Sequence, residues 1–235
     1  MVEGLFMEAR FRNSGDRVLL VEYGDRVDLR INEKVRAMTE LLRQAQPVGV
    51  ELVLPAYRSL AVVYDPLVTS PTVLQESLNR LEEKLNAVEV PAPRTVEIPV
   101  CYGGDFGPDI GQVADHNGID VAQVIAIHTA RPYHIYTIGF APGFCYLGGL
   151  DERLHTPRLA TPRTAVPAGS VGIAEAQTGI YPLESPGGWR LIGRTPLKIF
   201  DARRPSPFLY QTGDSLRFVA ISADAYHRIR EKEGA

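Results

Sequence analysis

Between Ala141 and Pro196 the chain carries seven prolines and nine glycines. Proline inside a helix removes a hydrogen bond and clashes with the preceding turn, and glycine raises the entropic cost of helix formation. No helix of ordinary length fits there. Yet Phe140, Phe144, Tyr146, Ile173, Tyr181, Trp189, Leu191 and Ile192 supply enough apolar surface for a core. Short strands joined by tight turns meet both conditions. Gly143, Gly148, Gly169, Gly179 and Gly187 each follow a residue type common before a turn, and they permit positive φ at the corners. So many fixed corners suit a groove in which backbone comes close to a ligand.

Charge in this stretch is uneven. From Arg153 to Lys198 there are six basic residues, Arg153, Arg158, Arg163, Arg190, Arg194 and Lys198, opposed by Glu175 and Glu184, a balance of +4 in a chain of net charge −3. A basic site on an acidic protein suits an anionic small ligand, a carboxylate or a phosphate, better than nucleic acid. The alternative is that these arginines solvate long loops.

The 235 residues, 45% of them apolar, allow one large core or two small ones. No apolar run reaches about eighteen residues, so no membrane span is expected. The start, MVEGLFMEARF, lacks the basic region and apolar block of a signal peptide. Cys101 and Cys145 belong to no CxxC pattern and read as reduced thiols of a cytoplasmic protein. The five histidines show no HExxH or other metal spacing, so no metal held by this chain is expected.

Before the key stretch, two strands, Phe6 to Phe11 and Arg17 to Tyr23, flank an Asn13–Asp16 turn. Asp28 then caps a helix with Ile31, Val35, Met38, Leu42 and Ala45 on one face, ended by Pro47. Val50 to Leu54 and Ser59 to Tyr64 form a hairpin. Ser70 and Pro71 open a second helix with the stripe Leu74, Leu78, Leu81, Leu85 and Val88. Two helices over an antiparallel sheet make a small α/β unit, residues 1–90. Val90-Pro91-Ala92-Pro93 is the linker, and residues 91–235 form the second unit. There a strand from Thr95 to Val100 leads into CYGGDFGPD, which lacks P-loop spacing. Helices capped by Asp109 and Asp120 follow, and the chain closes with a strand, Ser215 to Ile221, and a polar helix, Ala223 to Glu233.

No catalytic set can be assembled from spacing alone. There is no GxSxG elbow, and neither cysteine has a histidine nearby in sequence. His134 reads as a strand residue or a catalytic one. His128 reads as a residue favouring a helix C-terminus or a functional one. Gln177-Thr178-Gly179 places amide and hydroxyl groups beside a turn, suited to orienting an amide or carboxylate, or is an ordinary hairpin. Trp189 is a core anchor or a stacking wall. Arg194-Thr195 is the preferred anion contact, because the guanidinium fork matches carboxylate and phosphate oxygens.

GFAPGFCYLGGL, PRLATPRTAVPAGSVGI, QTGIYPLESPGGW and LIGRTP closely resemble the signature segments of the allophanate hydrolase subunit 1 family. That family includes a sporulation-kinase inhibitor and the B component of the prokaryotic ATP-dependent 5-oxoprolinase. The likeness spans nearly the whole chain, CYGGDFGPD and the segment from His128 to Tyr133 included. It implies an α+β fold in which the small α/β unit precedes a cyclophilin-like β-barrel. It also implies a sister cyclophilin-like subunit of the allophanate hydrolase subunit 2 family and a third, lactam-opening protein. Together they convert 5-oxoproline to glutamate with ATP, accompanied by magnesium, as co-substrate and with no prosthetic group. The alternatives are a regulatory protein that inhibits a sensor histidine kinase and a subunit processing allophanate- or urea-type amides. Neither nucleic acid nor membrane is expected as a partner. The expected site is lined by Phe140, Pro142, Gly143, Phe144, Arg163, Gln177, Thr178, Tyr181, Arg194 and Thr195. No catalytic residue or metal ligand is assigned.

Overall fold

The computed structural model describes residues 4–234. Residues 1–3, where the first expected unit and the N-terminal reading begin, and residue 235 lie outside the described residues. The chain divides into one unit through Ala92 and another from Pro93 onward.

The first unit runs β1 (Leu5–Asn13), β2 (Val18–Gly24), α1 (Leu29–Ala45), β3 (Val50–Pro55), β4 (Ser59–Tyr64) and α2 (Pro71–Glu82). Its strands form an antiparallel sheet in the order β1-β2-β4-β3. Strand alternation puts Leu19, Val21, Tyr23, Leu60, Val62 and Tyr64 on one face, and the helical stripes of α1 and α2 pack there. Asp28 accepts from the Arg30 amide at 2.8 Å and Ser70 from the Val73 amide at 3.4 Å, capping the two helices. Helix α2 is shorter than its stripe. Lys84, Leu85 and Ala87 bond three residues back, so the chain tightens into turns. Leu85 and Val88 still reach the core.

The second unit opens with β5 (Thr95–Tyr102), a 3-10 turn at Gly104–Phe106, α3 (Ile110–Asn117), α4 (Val121–Thr129), β6 (Tyr133–Ile138) and β7 (Cys145–Gly148). It continues through β8 (Arg163–Val166), β9 (Ser170–Ala174), β10 (Gln177–Ile180), β11 (Ser185–Gly187), β12 (Arg190–Arg194), β13 (Ser215–Ala220) and α5 (Ala223–Gly234). Seven strands form one sheet in the order β10-β9-β12-β5-β13-β6-β7, while β8 and β11 pair separately. Strands β7 and β10, at the two ends of that order, lie side by side, so the sheet curls into a nearly closed barrel. Strand β13 runs parallel to β5, from Ser215 against Thr95 to Ala220 against Val100. Beside that pairing, Arg94 donates to the buried Asp214 carboxylate through its backbone N–H at 3.0 Å and its guanidinium at 2.9 Å.

Ile98, Val100, Ile135, Leu147, Val171, Ile173, Ile192 and Phe218 fill the barrel. Phe144, Val166, Ala174, Tyr181, Trp189 and Leu191 form a second, smaller apolar cluster. Alternation on β9 and β12 divides the residues between the two: Val171, Ile173 and Ile192 go into the barrel, and Ala174 and Leu191 to the other face.

Two sequence expectations are corrected. Gly143 and Gly169 take positive φ, but Gly148, Gly179 and Gly187 do not. A Cβ on Gly187 would lie 2.3 Å from the Tyr181 hydroxyl oxygen, and one on Gly179 would lie 3.0 Å from the Trp189 ring. These glycines make room for aromatic rings rather than bending the chain. Asp109 sits at the start of α3 without capping it, because its carboxylate is engaged elsewhere.

Candidate functional site

On the outer face of the barrel the small cluster opens into a cleft of about 300 Å³. Phe140, Phe144, Tyr146, Tyr181 and Trp189 form its apolar walls, Gln177 and Arg158 supply polar groups, and Pro162 and Pro186–Gly188 close the rim. Phe144 is the hub. Phe140, Tyr146, Tyr181 and Trp189 each meet its ring edge to face, at centroid distances of 5.6, 5.1, 5.9 and 5.6 Å. Such pairs add about 0.5–1.5 kcal/mol each beyond burial and fix ring orientations. Trp189 is therefore both core anchor and cleft wall.

The turn before β7 shapes the mouth. The Gly139 N–H donates to the Phe144 carbonyl at 3.0 Å, and the buried Tyr210 hydroxyl donates to the Gly143 carbonyl at 2.7 Å. Within this turn Phe140 adopts φ 68° and is 74% exposed. A bulky residue in the left-handed region is strained. Here the strain holds an aromatic ring at the rim.

Of the residues expected at the site, Phe140, Phe144, Gln177 and Tyr181 line this cleft. Pro142 and Gly143 belong to the turn that carries Phe140. Thr178, Arg163, Arg194 and Thr195 are not among the cleft's lining residues.

Thr178 faces away, into a buried relay. Its hydroxyl donates to the Gly172 carbonyl at 3.1 Å, so it must accept from His128 Nε2–H, 2.8 Å away. His128 Nδ1 then accepts from the Tyr102 hydroxyl at 2.8 Å. The imidazole is fully buried against Phe218, and burial pushes its pKa down from 6.5 to about 3, so it stays neutral. The helix-terminus reading of His128 gives way to this relay.

Arg163 donates to the buried Asp109 carboxylate at 2.7 Å, and the second Asp109 oxygen accepts from the Leu191 N–H at 2.7 Å. Arg163 also reaches the Trp189 carbonyl at 3.4 Å. The pair thus anchors the start of β12 and the Trp189 wall from behind. Arg194 lies opposite Cys101 and Ser170 across the sheet, and its Nε and the Ser170 hydroxyl are buried without hydrogen-bond partners. Thr195 is buried and accepts from the Leu197 N–H at 3.3 Å.

Arg158, like Tyr146, Pro162, Pro186 and Gly188, lines the cleft without having been expected at the site. Its signal was present in the count of basic residues, but nothing in the local sequence distinguishes it from its neighbours. The thiols are not poised as nucleophiles: burial raises the pKa of Cys101 and lifts that of Cys145 to about 11. Among the described residues no group of three or more His, Cys, Asp or Glu side chains is arranged to hold a metal ion. No described helix is long and apolar enough to cross a membrane.

The sequence pattern of the carboxyltransferase domain, subdomains C and D, matches residues 9–210. The chain belongs to that family. This carboxyltransferase-type chain is 42% identical over 229 residues to the 5-oxoprolinase B component of Bacillus subtilis (strain 168), covering 93% of itself and 95% of that relative. It is 52% identical over 144 residues to the 5-oxoprolinase B component of Escherichia coli O157:H7, covering 61% and 66%. The crystal structure of TTHA0988 superposes with a TM-score of 0.78 at 37% identity, covering 88% of this chain and 40% of that longer one. The resemblance carried by GFAPGFCYLGGL and LIGRTP therefore holds, and the fold is shared with a chain more than twice as long.

Proposed function

We propose that this chain is the B component of an ATP-dependent 5-oxoprolinase and that the aromatic cleft is its small-molecule site. The observation that carries the reading is the 42% identity to a 5-oxoprolinase B component across nearly the full length of both chains. The chemistry is consistent with it. A lactam carbonyl is a poor electrophile because nitrogen donates into it. Transfer of the ATP γ-phosphoryl group to the lactam oxygen, with ADP leaving, creates a better one. Water then adds at the ring carbon, the C–N bond opens, and phosphate departs to leave glutamate. A cleft walled by rings and carrying one amide and one cation suits a small cyclic amide acid.

In this reading ATP is a co-substrate, and magnesium enters as its counter-ion. The partners are a sister subunit of the allophanate hydrolase subunit 2 family and a lactam-opening third protein, all acting in the cytoplasm. The reading leaves phosphoryl transfer dependent on the assembled complex, because the chain has no P-loop spacing. The test is reconstitution. Release of ADP driven by 5-oxoproline should require this chain together with the sister subunit, and release of glutamate should require the third protein as well. Robust turnover by the purified single chain, or full activity of the other subunits without it, refutes the reading.

A further inference from the structure

Arg158 differs from three of its basic neighbours. Arg153 is held by Asp151, Arg163 by Asp109, and Arg190 by Gln112 and the Pro157 carbonyl. Arg158 is exposed and has no hydrogen bond or ion pair to any described residue. Among the described residues it is also the one charged side chain in the cleft lining. Its backbone is clamped on both sides: the Pro157 carbonyl accepts from Arg190 Nε at 3.1 Å, and the Leu159 N–H donates to the Gly188 carbonyl at 2.8 Å. The root of the side chain is thus fixed at the rim while the guanidinium has no internal partner. An arginine kept unpaired beside apolar walls pairs most favourably with a planar anion that those walls shield from water.

We infer that Arg158 reads a carboxylate on the ligand and makes the cleft selective for small cyclic acids over uncharged rings of the same shape. This rests on the lactam reading of the same cleft for the ring's identity, but not for the role of the guanidinium. The rings of Phe144, Tyr181 and Trp189 meet the flat body of the ligand, and Arg158 meets its charge. Arg163 and Arg194, the arginines favoured on sequence grounds, stand outside the lining.

Three probes separate the claims: 5-oxoproline, which has lactam and carboxylate; 2-pyrrolidinone, which has the lactam alone; and cyclopentanecarboxylate, which has the acid alone. Binding is measured by NMR titration or calorimetry on the full chain, alone and in the reconstituted complex. The wild type should bind 5-oxoproline roughly ten- to a hundred-fold more tightly than 2-pyrrolidinone, the range expected for one charge-assisted hydrogen-bonded contact. Arg158→Ala should bring the two together by weakening 5-oxoproline alone. Unchanged 2-pyrrolidinone affinity then reports that the cleft is still folded. Arg158→Lys should restore part of the preference, since it keeps the charge and loses the fork. If Arg158→Ala keeps the wild-type preference, the inference is wrong. If cyclopentanecarboxylate binds in an Arg158-dependent manner and neither lactam binds, the carboxylate role stands and the lactam reading falls. If the wild type binds none of the three, both are overturned.

Discussion

Acid should begin to weaken the barrel unit through a single imidazole, before its depressed carboxylates Asp151, Asp201 and Asp214 start to protonate. His128 is neutral and buried in the folded state, with a pKa near 3, and returns to about 6.5 on unfolding. Below about pH 6.5 the unfolded chain binds a proton that the folded chain refuses, so stability falls as pH falls and recovers as it rises. Once the difference approaches one proton, the slope approaches about 1.4 kcal/mol per pH unit. Integrated from 6.5 to about 3, the loss is on the order of 5 kcal/mol. Glu40, lowered to about 2 by Arg43 and Gln44, adds to the loss only below about pH 4.5, and equally in wild type and variant. Glu82, raised by burial, acts in the opposite sense, equally in wild type and variant. The measurement is urea unfolding from pH 4.5 to 7.5 for wild type and His128→Leu. The variant leaves the Tyr102 hydroxyl buried without its acceptor and should be about 1–3 kcal/mol less stable at neutral pH. It should then lose stability more slowly on acidification, so that the two curves converge. Parallel curves, or an NMR titration placing His128 near 6.5 in the folded protein, would refute the reasoning.

Other outcomes follow from the same contacts. At Phe140, alanine removes the ring but keeps the left-handed strain, whereas glycine removes both, so Phe140→Gly should be about 1 kcal/mol more stable than Phe140→Ala. Both should weaken cleft ligands, and equal melting temperatures would show that the turn is unstrained. Asp109→Ala strips the Leu191 N–H and the Arg163 guanidinium of their partner and should cost about 3 kcal/mol. It should also shift the emission of Trp189, the sole tryptophan, and an unchanged spectrum would show that the pair does not hold that wall. Brief proteolysis should cut between residues 87 and 95 and leave two stable fragments, whereas cleavage mainly within 28–46 or 171–199 would refute the division into units.

Local pattern carried the fold a long way. Strand alternation from Val18 to Tyr64, the caps at Asp28 and Ser70 and the helix-hostile glycines and prolines after Ala141 are all properties of neighbouring residues, and the elements formed where those patterns lie. The site was legible where one short segment supplied it, as at Phe140 and Phe144. It was not where a partner comes from far away. Arg163 meets Asp109 across 54 residues and His128 meets Thr178 across 50, pairings set by barrel register. Two arginines five residues apart, Arg158 and Arg163, look alike in sequence, yet one is held by a buried carboxylate and the other faces the cleft.

The parallel pairing of β5 with β13, clasped by Arg94 and Asp214, also dictates the order in which this molecule can form. The partners of the clasp are 120 residues apart, and β12, the other neighbour of β5, is nearly as remote. At synthesis rates of about 5–20 residues per second, β5 waits on the order of ten seconds for strands to pair with. During that interval Ile98 and Val100 have no barrel to enter, while the four-stranded unit ahead of them is already complete. Contacts this distant in sequence make barrel closure the slow step of folding, and the half-made chain with β5 unpaired is the species most exposed to aggregation.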